Sequence, residues 1–237
     1  MAAPVVPTMK WHTARVVGIR DETPRAKTFR LALAEPAPHR AGQHYIVRLT
    51  APDGYTASRS YSVASPPDGS NEFDITVERL DNGEVSTFLH DAVVVGDELE
   101  VRGPIGGWFV WDGDAPALLV GGGSGVVPLM AMLRLARTTG RADLVRIVVS
   151  VRTAADLYYA DEIAGPETTD VYTRSAPPDS ARPAGRIAAA DIPQPIHAGA
   201  VAYVCGSPAF AEAASGVLVT LGMPTERIRV ERFGPSG

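Results

Sequence analysis

The sequence predicts a β + α/β protein: an N-terminal antiparallel six-stranded barrel followed by a parallel α/β domain. Three observations predict it. The first half consists of short apolar runs separated by turn residues. The second half alternates near-continuous apolar runs with helical stretches. Between them, Asp112-Gly113-Asp114 interrupts both patterns and places the boundary near 112–116. Many short strands with turns at this spacing favour a small barrel. Strands buried on both faces and alternating with helices favour a parallel sheet.

Taken in order, the barrel strands are expected at 11–20, 27–33, 43–49, 55–63, 73–79 and 98–102. Glu35-Pro36-Ala37-Pro38, Ala51-Pro52-Asp53-Gly54, Pro66-Pro67-Asp68-Gly69 and Asp81-Asn82-Gly83 separate them, each a turn-forming combination. Parallel strands are expected at 117–120, 145–151, 171–173 and 201–205. Pro128 can open a helix that runs to about Thr139 and stops at Gly140. A second helix is expected over 156–163. Ser207 and Pro208 read as the N-cap and first-turn proline of a third, ending at Gly222. The stretch 174–195 is rich in Pro, Ala and Ser and reads as a connecting loop. The expected organisation is a flexible tail at 1–10, a barrel domain at 11–112 and an α/β domain at 113–237.

Composition narrows the function. The 237 residues are 45% hydrophobic and 21% charged, enough for two small domains with ordinary cores. The net charge is -5 and no basic run occurs, which argues against nucleic acid as a partner. A single cysteine excludes an internal disulfide and any four-cysteine zinc or iron–sulfur site within this sequence. The five histidines are scattered without metal-ligand spacing, so no metal site is expected. Residues 115–133 are uncharged and nearly long enough to span a bilayer. Gly121, Gly122, Gly123, Gly125 and Pro128 in their middle fit a strand, a turn and a helix instead, so no membrane span is expected. The first residues lack a basic, apolar leader, and the expectation is a cytoplasmic protein.

Three segments carry candidate chemistry. Leu118 to Pro128 is a strand, a glycine turn and a helix start. Glycines let backbone N–H groups approach a phosphate, and a helix N-terminus favours negative charge. Val126 occupies the third glycine place of a GxGxxG pattern, and no Gly-Lys-Ser/Thr follows. Alone, the turn fits a pyrophosphate site and a plain tight turn equally. In Ser58-Arg59-Ser60-Tyr61-Ser62-Val63, strand alternation sets Arg59, Tyr61 and Val63 on one face and Ser60 and Ser62 on the other. An Arg and an aromatic two apart can pair a phosphate with a stacked ring, although alone the segment reads better as an exposed polar strand. Cys205 ends an apolar run before Gly206. A lone cysteine is most often a small buried hydrophobe, yet the C-terminal edge of a parallel strand is where such sheets bind ligands.

Together the segments resemble the ferredoxin–NADP reductase family over 11–234. Arg59-Ser60-Tyr61-Ser62 resembles its Arg-x-Tyr-Ser/Thr flavin signature, and Gly83-Glu84-Val85-Ser86-Thr87 its second signature, a glycine turn into a short helix. Gly103-Pro104-Ile105-Gly106 resembles the Gly-Pro-x-Gly that closes the barrel. Gly122, Gly123, Ser124, Gly125 and Pro128 match the nicotinamide-nucleotide turn, Cys205-Gly206 the segment beside the nicotinamide, and Glu231-Arg232-Phe233 the terminal acid-x-aromatic.

The resemblance implies a flavin-binding barrel and an NAD(P)-binding second domain. It implies that Arg59 binds the FAD pyrophosphate, that Tyr61 stacks on the isoalloxazine, and that Ser62 donates a hydrogen bond near N5, flanked by Ser60 and Val63. Gly83, Val85, Ser86 and Thr87 would hold the pyrophosphate. Cys205, Glu231 and Phe233 would join Tyr61 and Ser62 at the reacting rings, with Cys205 not a nucleophile. Arg152 and Arg174 each follow a predicted strand, where guanidinium groups suit the 2′-phosphate of NADPH, with NADH possible. Arg186, in Gly185-Arg186-Ile187, is a further expected nucleotide contact. The implied function is FAD-dependent hydride transfer from NADPH or NADH, with electrons passed to a separate ferredoxin, flavodoxin or redox-enzyme subunit. Two alternatives stand beside it: a reductase of diffusible flavin, and a non-catalytic electron-transfer subunit.

Overall fold

The computed structural model describes residues 10–234, so the tail expected at 1–10 lies, but for Lys10, outside the described residues. Six strands form the first sheet: β1 (His12–Thr23), β2 (Ala26–Leu33), β3 (His44–Thr50), β4 (Thr56–Ser62), β5 (Glu72–Glu78) and β6 (Glu98–Ile105). Their order is β4-β3-β6-β1-β2-β5, antiparallel throughout. The two end strands close on each other. Val63 bridges Ile75, and the Ala64 N–H donates to the Asp74 carbonyl at 2.8 Å. Closure removes the open sheet edges that would otherwise invite aggregation. Inward positions of the strands, among them Phe29, Leu31, Val47, Ile75 and Val101, fill the interior. Tyr45 stacks on Phe73 there, with centroids 4.0 Å apart. Helix α1 (Glu84–Asp91) packs Val85 and Leu89, four residues apart on one face, into the same core.

The second sheet is parallel and five-stranded. In chain order it comprises β7 (Ala117–Gly122), α2 (Val126–Thr138), β8 (Val145–Val151), α3 (Ala160–Ile163), β9 (Thr168–Tyr172), β10 (Val201–Gly206), α4 (Pro208–Thr220) and β11 (Ile228–Arg232). The strand order is β11-β10-β7-β8-β9. From β7 the chain builds outward through β8 and β9, then returns to the other side for β10 and β11. The direction reverses between β7 and β10, which opens a crevice at their C-terminal ends. Ser207 caps α4 by accepting the Phe210 N–H at 3.3 Å, with Pro208 in the first turn, as the sequence predicts.

Four elements differ from expectation. Helix α2 opens at Val126 rather than Pro128. Pro128 is instead the third residue, where its missing N–H is harmless. The helix expected at 156–163 is broken. Tyr159 adopts a left-handed conformation (φ 57) and leaves only four helical residues after it. Strand β6 continues through Gly103-Pro104 to Ile105, where it pairs with His44 of β3. Strand β11 was not foreseen. It is five residues long, lies at the sheet edge and alternates charged with apolar side chains.

The two sheets share a core. Ala26, Ala41 and Ala64 of the barrel pack in one cluster with Leu129, Met130 and Met132 of α2. The loop over 174–195 is pinned from within by Arg182, which forms a two-pronged ion pair with Asp191. Among the described residues no helix is long and apolar enough to cross a membrane.

Candidate flavin and nucleotide site

Strand β4 carries the first part of the site. Arg59 pairs with Val47 of β3 in register, and its side chain is exposed. Its Nη1 donates to the Ser58 carbonyl at 2.7 Å, and among the described residues no carboxylate forms an ion pair with it. An exposed guanidinium without a carboxylate has donors to offer an anion. The Glu84 hydrogen bond raises the Tyr55 phenol and burial raises that of Tyr61, and the Arg59 charge offsets part of each rise. Tyr61 is half-buried against the barrel core, and burial pushes its phenol up. Ser60 is exposed and Ser62 is buried, opposite His44. Val63 has little beyond its carbonyl to offer a ligand. Its side chain is fully buried in the barrel core and its N–H donates to the Gln43 carbonyl at 2.9 Å, so neither is free for a ligand.

The Gly83 turn is closed from within by Ser86. The Ser86 Oγ donates to the Gly83 carbonyl at 3.1 Å and accepts the Leu80 N–H at 3.2 Å. A Cβ on Gly83 would stand 2.3 Å from that oxygen, so the turn closes tightly around the Ser86 hydroxyl. The hydroxyl braces the turn rather than facing outward. Thr87 likewise donates to the Leu80 carbonyl at 3.3 Å, and Val85 is buried in the core. What this segment can offer an anion is the set of N–H groups of the first turn of α1.

The nicotinamide side is built where β7, β10 and β11 end. A Cβ on Gly125 would lie 2.2 Å from the Cys205 carbonyl oxygen, and one on Gly122 would lie 2.6 Å from the Phe210 ring. The glycine turn therefore presses directly on the Cys205-Gly206 end of β10. Ser124 is half-buried beside it, Gly123 has open space above it, and Pro128 is buried in α2. Strand β5 of the barrel lies against the turn at Gly123–Gly125. Cys205 pairs in register with Gly121 on one side and Glu231 on the other. Burial, and then the Glu231 carboxylate, push the Cys205 thiol up. It is a neutral thiol, as a packing or contact residue would be and a nucleophile would not. Burial raises Glu231 to about 7, so its carboxyl can hold or release a proton near neutrality. The Phe233 N–H donates to the Gly206 carbonyl at 2.8 Å, and its ring packs on the shared core.

Arg152 and Arg174 follow β8 and β9. The Arg174 N–H donates to the Arg152 carbonyl at 2.9 Å, and both side chains are exposed. The Gly185 N–H donates to the Tyr172 carbonyl at 2.9 Å, which brings Arg186 to the same strand end. Three arginines thus gather at one edge of the crevice. Arg182, which no spacing in the sequence singles out, holds this loop in place through Asp191 and the carbonyls of Pro183, Gly185 and Arg186. Also unforeseen was Arg229, which donates to the Val110 carbonyl at 2.8 Å and the Tyr203 hydroxyl at 3.2 Å. Its two partners come from separate parts of the chain.

The residues present suit two ligands. Two close-packed glycine turns, the helix starts that follow them, and exposed arginines without an ion-pair partner among the described residues fit a flavin on the barrel and a nicotinamide nucleotide on the sheet. Fold and site together define a two-domain oxidoreductase that binds both. Residues 14–110 match the family described as oxidoreductase FAD-binding domain, and residues 119–216 match the oxidoreductase NAD-binding domain. The aromatic O-demethylase reductase subunit of Amycolatopsis is 32% identical over 94% of this chain and 70% of its own. The reductase component of propane 2-monooxygenase from Rhodococcus jostii is 30% identical over 92% of this chain and 62% of its own. The chain spans about two thirds or less of the curated relatives it matches most strongly. Among solved structures, the FAD/NAD-binding domain of nitric oxide dioxygenase from Vibrio cholerae superimposes with a TM-score of 0.84. It is 26% identical, and the match covers 94% of this chain and 99% of that one. The chain belongs to the ferredoxin–NADP reductase family.

Proposed function

We propose that this chain takes a hydride from NADPH, or from NADH, onto bound FAD and passes electrons to a protein acceptor outside these residues. The observation that carries the reading is the contact of Gly125 with Cys205, made beside barrel strand β5. It joins the nucleotide turn to the strand end expected beside the nicotinamide, next to the flavin half. When bound, FAD would supply the hydride-accepting and single-electron-releasing chemistry. Arg59 would neutralise its pyrophosphate together with the first turn of α1. Tyr61 would cover one ring face and the Ser62 hydroxyl would orient the ring edge. The buried Cys205 and the half-buried Phe233 would exclude water from the nicotinamide side. The Glu231 carboxyl, raised to about 7, would retain or exchange a proton at its Oε atoms as charge on the rings changes.

Arg152, Arg174 and Arg186 support NADPH as the preferred donor, because guanidinium groups match a 2′-phosphate. Two relatives named as reductase components of a monooxygenase and a demethylase support an oxygenase-type partner. The single cysteine supports an acceptor whose iron–sulfur cluster lies outside these residues. The test is turnover with ferricyanide as a one-electron acceptor, with and without added FAD. FAD-dependent oxidation of NADPH, faster than of NADH at equal low concentration, is expected. No FAD-dependent oxidation of either nucleotide overturns the reading.

A further inference from the structure

One polar network, buried at Arg134 and Tyr159 and open to solvent at Glu162, lies outside the site described so far. Arg134, on the buried face of α2, is only 9% exposed. Its Nη1 donates to the Ala64 carbonyl at 2.9 Å, and Nε and Nη2 grip the Glu162 carboxylate at 2.8 and 2.5 Å. The guanidinium lies 4.9 Å from the centre of the Tyr159 ring. Tyr159 reaches the barrel twice: its hydroxyl bonds Thr76 of β5 at 2.6 Å, and its N–H donates to Glu22 of β1 at 3.2 Å. Thr28 of β2 completes the circuit, bonding Thr76 at 2.7 Å and Glu22 at 2.6 Å. Tyr159 is the one described non-glycine residue with positive φ, a conformation that costs energy unless its surroundings repay it.

An ion pair whose carboxylate is 43% exposed adds little net stability, so what matters here is what it holds. The geometry here is specific. Ala64 lies two residues beyond Ser62, and its own N–H is held by the Asp74 carbonyl at 2.8 Å. The helix that grips Ala64 begins at Val126, directly after the glycine turn. Eight residues of helix, roughly 12 Å of stiff rod, separate Val126 from Arg134.

We propose that Arg134, seated on Tyr159 and Glu162, is a positioning residue: by gripping the Ala64 carbonyl it fixes the end of flavin strand β4 relative to the nucleotide turn. The proposal rests on the reductase reading above. Ring-to-ring hydride transfer is steeply sensitive to placement, and an error of about 1 Å costs on the order of 100-fold in rate. Arg134→Lys keeps the charge and loses the fork. Tyr159→Phe loses only a hydroxyl, and it decides the matter if the lysine variant does not fold.

Two readouts test the proposal. The first needs no cofactor: amide exchange at Val63 and Ala64, by NMR, is expected to accelerate about tenfold or more in both variants, as local opening becomes easier. The second is anaerobic stopped-flow reduction of the FAD-loaded chain. The limiting rate is expected to fall about tenfold or more, while the apparent nucleotide Kd stays within about threefold. Unchanged exchange with an unchanged limiting rate overturns the proposal. So does a rate loss that merely tracks lost FAD. A wild-type chain reduced by neither nucleotide defeats the reductase reading instead, and the exchange result alone then decides whether Arg134 grips the strand.

Discussion

Arg59 shows how much and how little a residue says by itself. In the sequence it is one arginine on a polar strand. In the fold it is an exposed cation with no carboxylate partner among the described residues, close enough to offset part of the rise that burial gives the Tyr61 phenol. Charge-assisted hydrogen bonds contribute about 1.5–3 kcal/mol each. Arg59→Ala is therefore expected to weaken FAD binding roughly 10- to 100-fold, measured by fluorescence titration, with little change in thermal stability. Retained affinity would remove Arg59 from the site. Ser86 teaches the opposite lesson. Its position in the motif was legible, but the direction of its hydroxyl depends on the closure of the Gly83 turn.

Glu231 gives a pH prediction. Burial raises its pKa from 4.5 to about 7 in the folded chain. Between those values the folded state binds more protons than the unfolded state, so stability falls as pH rises through this window and levels off above it. The loss attributable to this group is roughly 2 kcal/mol. Urea unfolding at pH 5 and pH 8 checks it: the wild type is expected to lose that much more stability than Glu231→Gln. Parallel behaviour of the two proteins would contradict the assignment.

At the scale of elements, the glycine turn and the end of β10 have to be considered together. Gly125→Ala would drive a Cβ into the backbone of Cys205 and Gly206, at 2.2 to 2.6 Å. Neither segment can yield without opening the sheet. The expected cost is roughly 2–4 kcal/mol together with weakened nucleotide binding. Gly216→Ala, inside α4 with nothing within 4 Å, is the contrasting control. There the change is expected to stabilise by about 0.5–1 kcal/mol. Thermal unfolding of the two variants separates these effects, and equal shifts would contradict the packing argument. Elements were legible where local chemistry sets them: the Ser207 cap, the apolar run of β8, and the punctuated strands of the barrel. They were illegible where distant contacts decide. The 156–163 segment reads as a helix, but Tyr159 leaves the helical region to meet Thr76 and Glu22 of the barrel. Strand β11 is only five residues long, too short for its alternation to announce a strand.

For the whole molecule, the order of the segments was more informative than any one of them. Neither the glycine turn nor the Arg-Ser-Tyr-Ser strand is decisive alone, but their sequence from barrel to sheet predicts which ends meet. The structure sets the 123–125 turn against β5, and brings Cys205 between Gly121 and Glu231. The contacts that hold the two halves together were not visible beforehand. Arg134 and Ala64 are 70 positions apart, and Tyr159 and Thr76 are 83. Pairs at that separation leave no local pattern in one sequence.

The central claim is that these two halves place a flavin and a nicotinamide nucleotide together for hydride transfer. The most direct measurement is the visible spectrum of the chain with one equivalent of FAD, without oxygen, before and after NADPH and, in a separate sample, NADH. Rapid bleaching of the oxidised-flavin bands, faster with NADPH, is the predicted result. A chain that binds FAD and keeps those bands with both nucleotides would contradict the account.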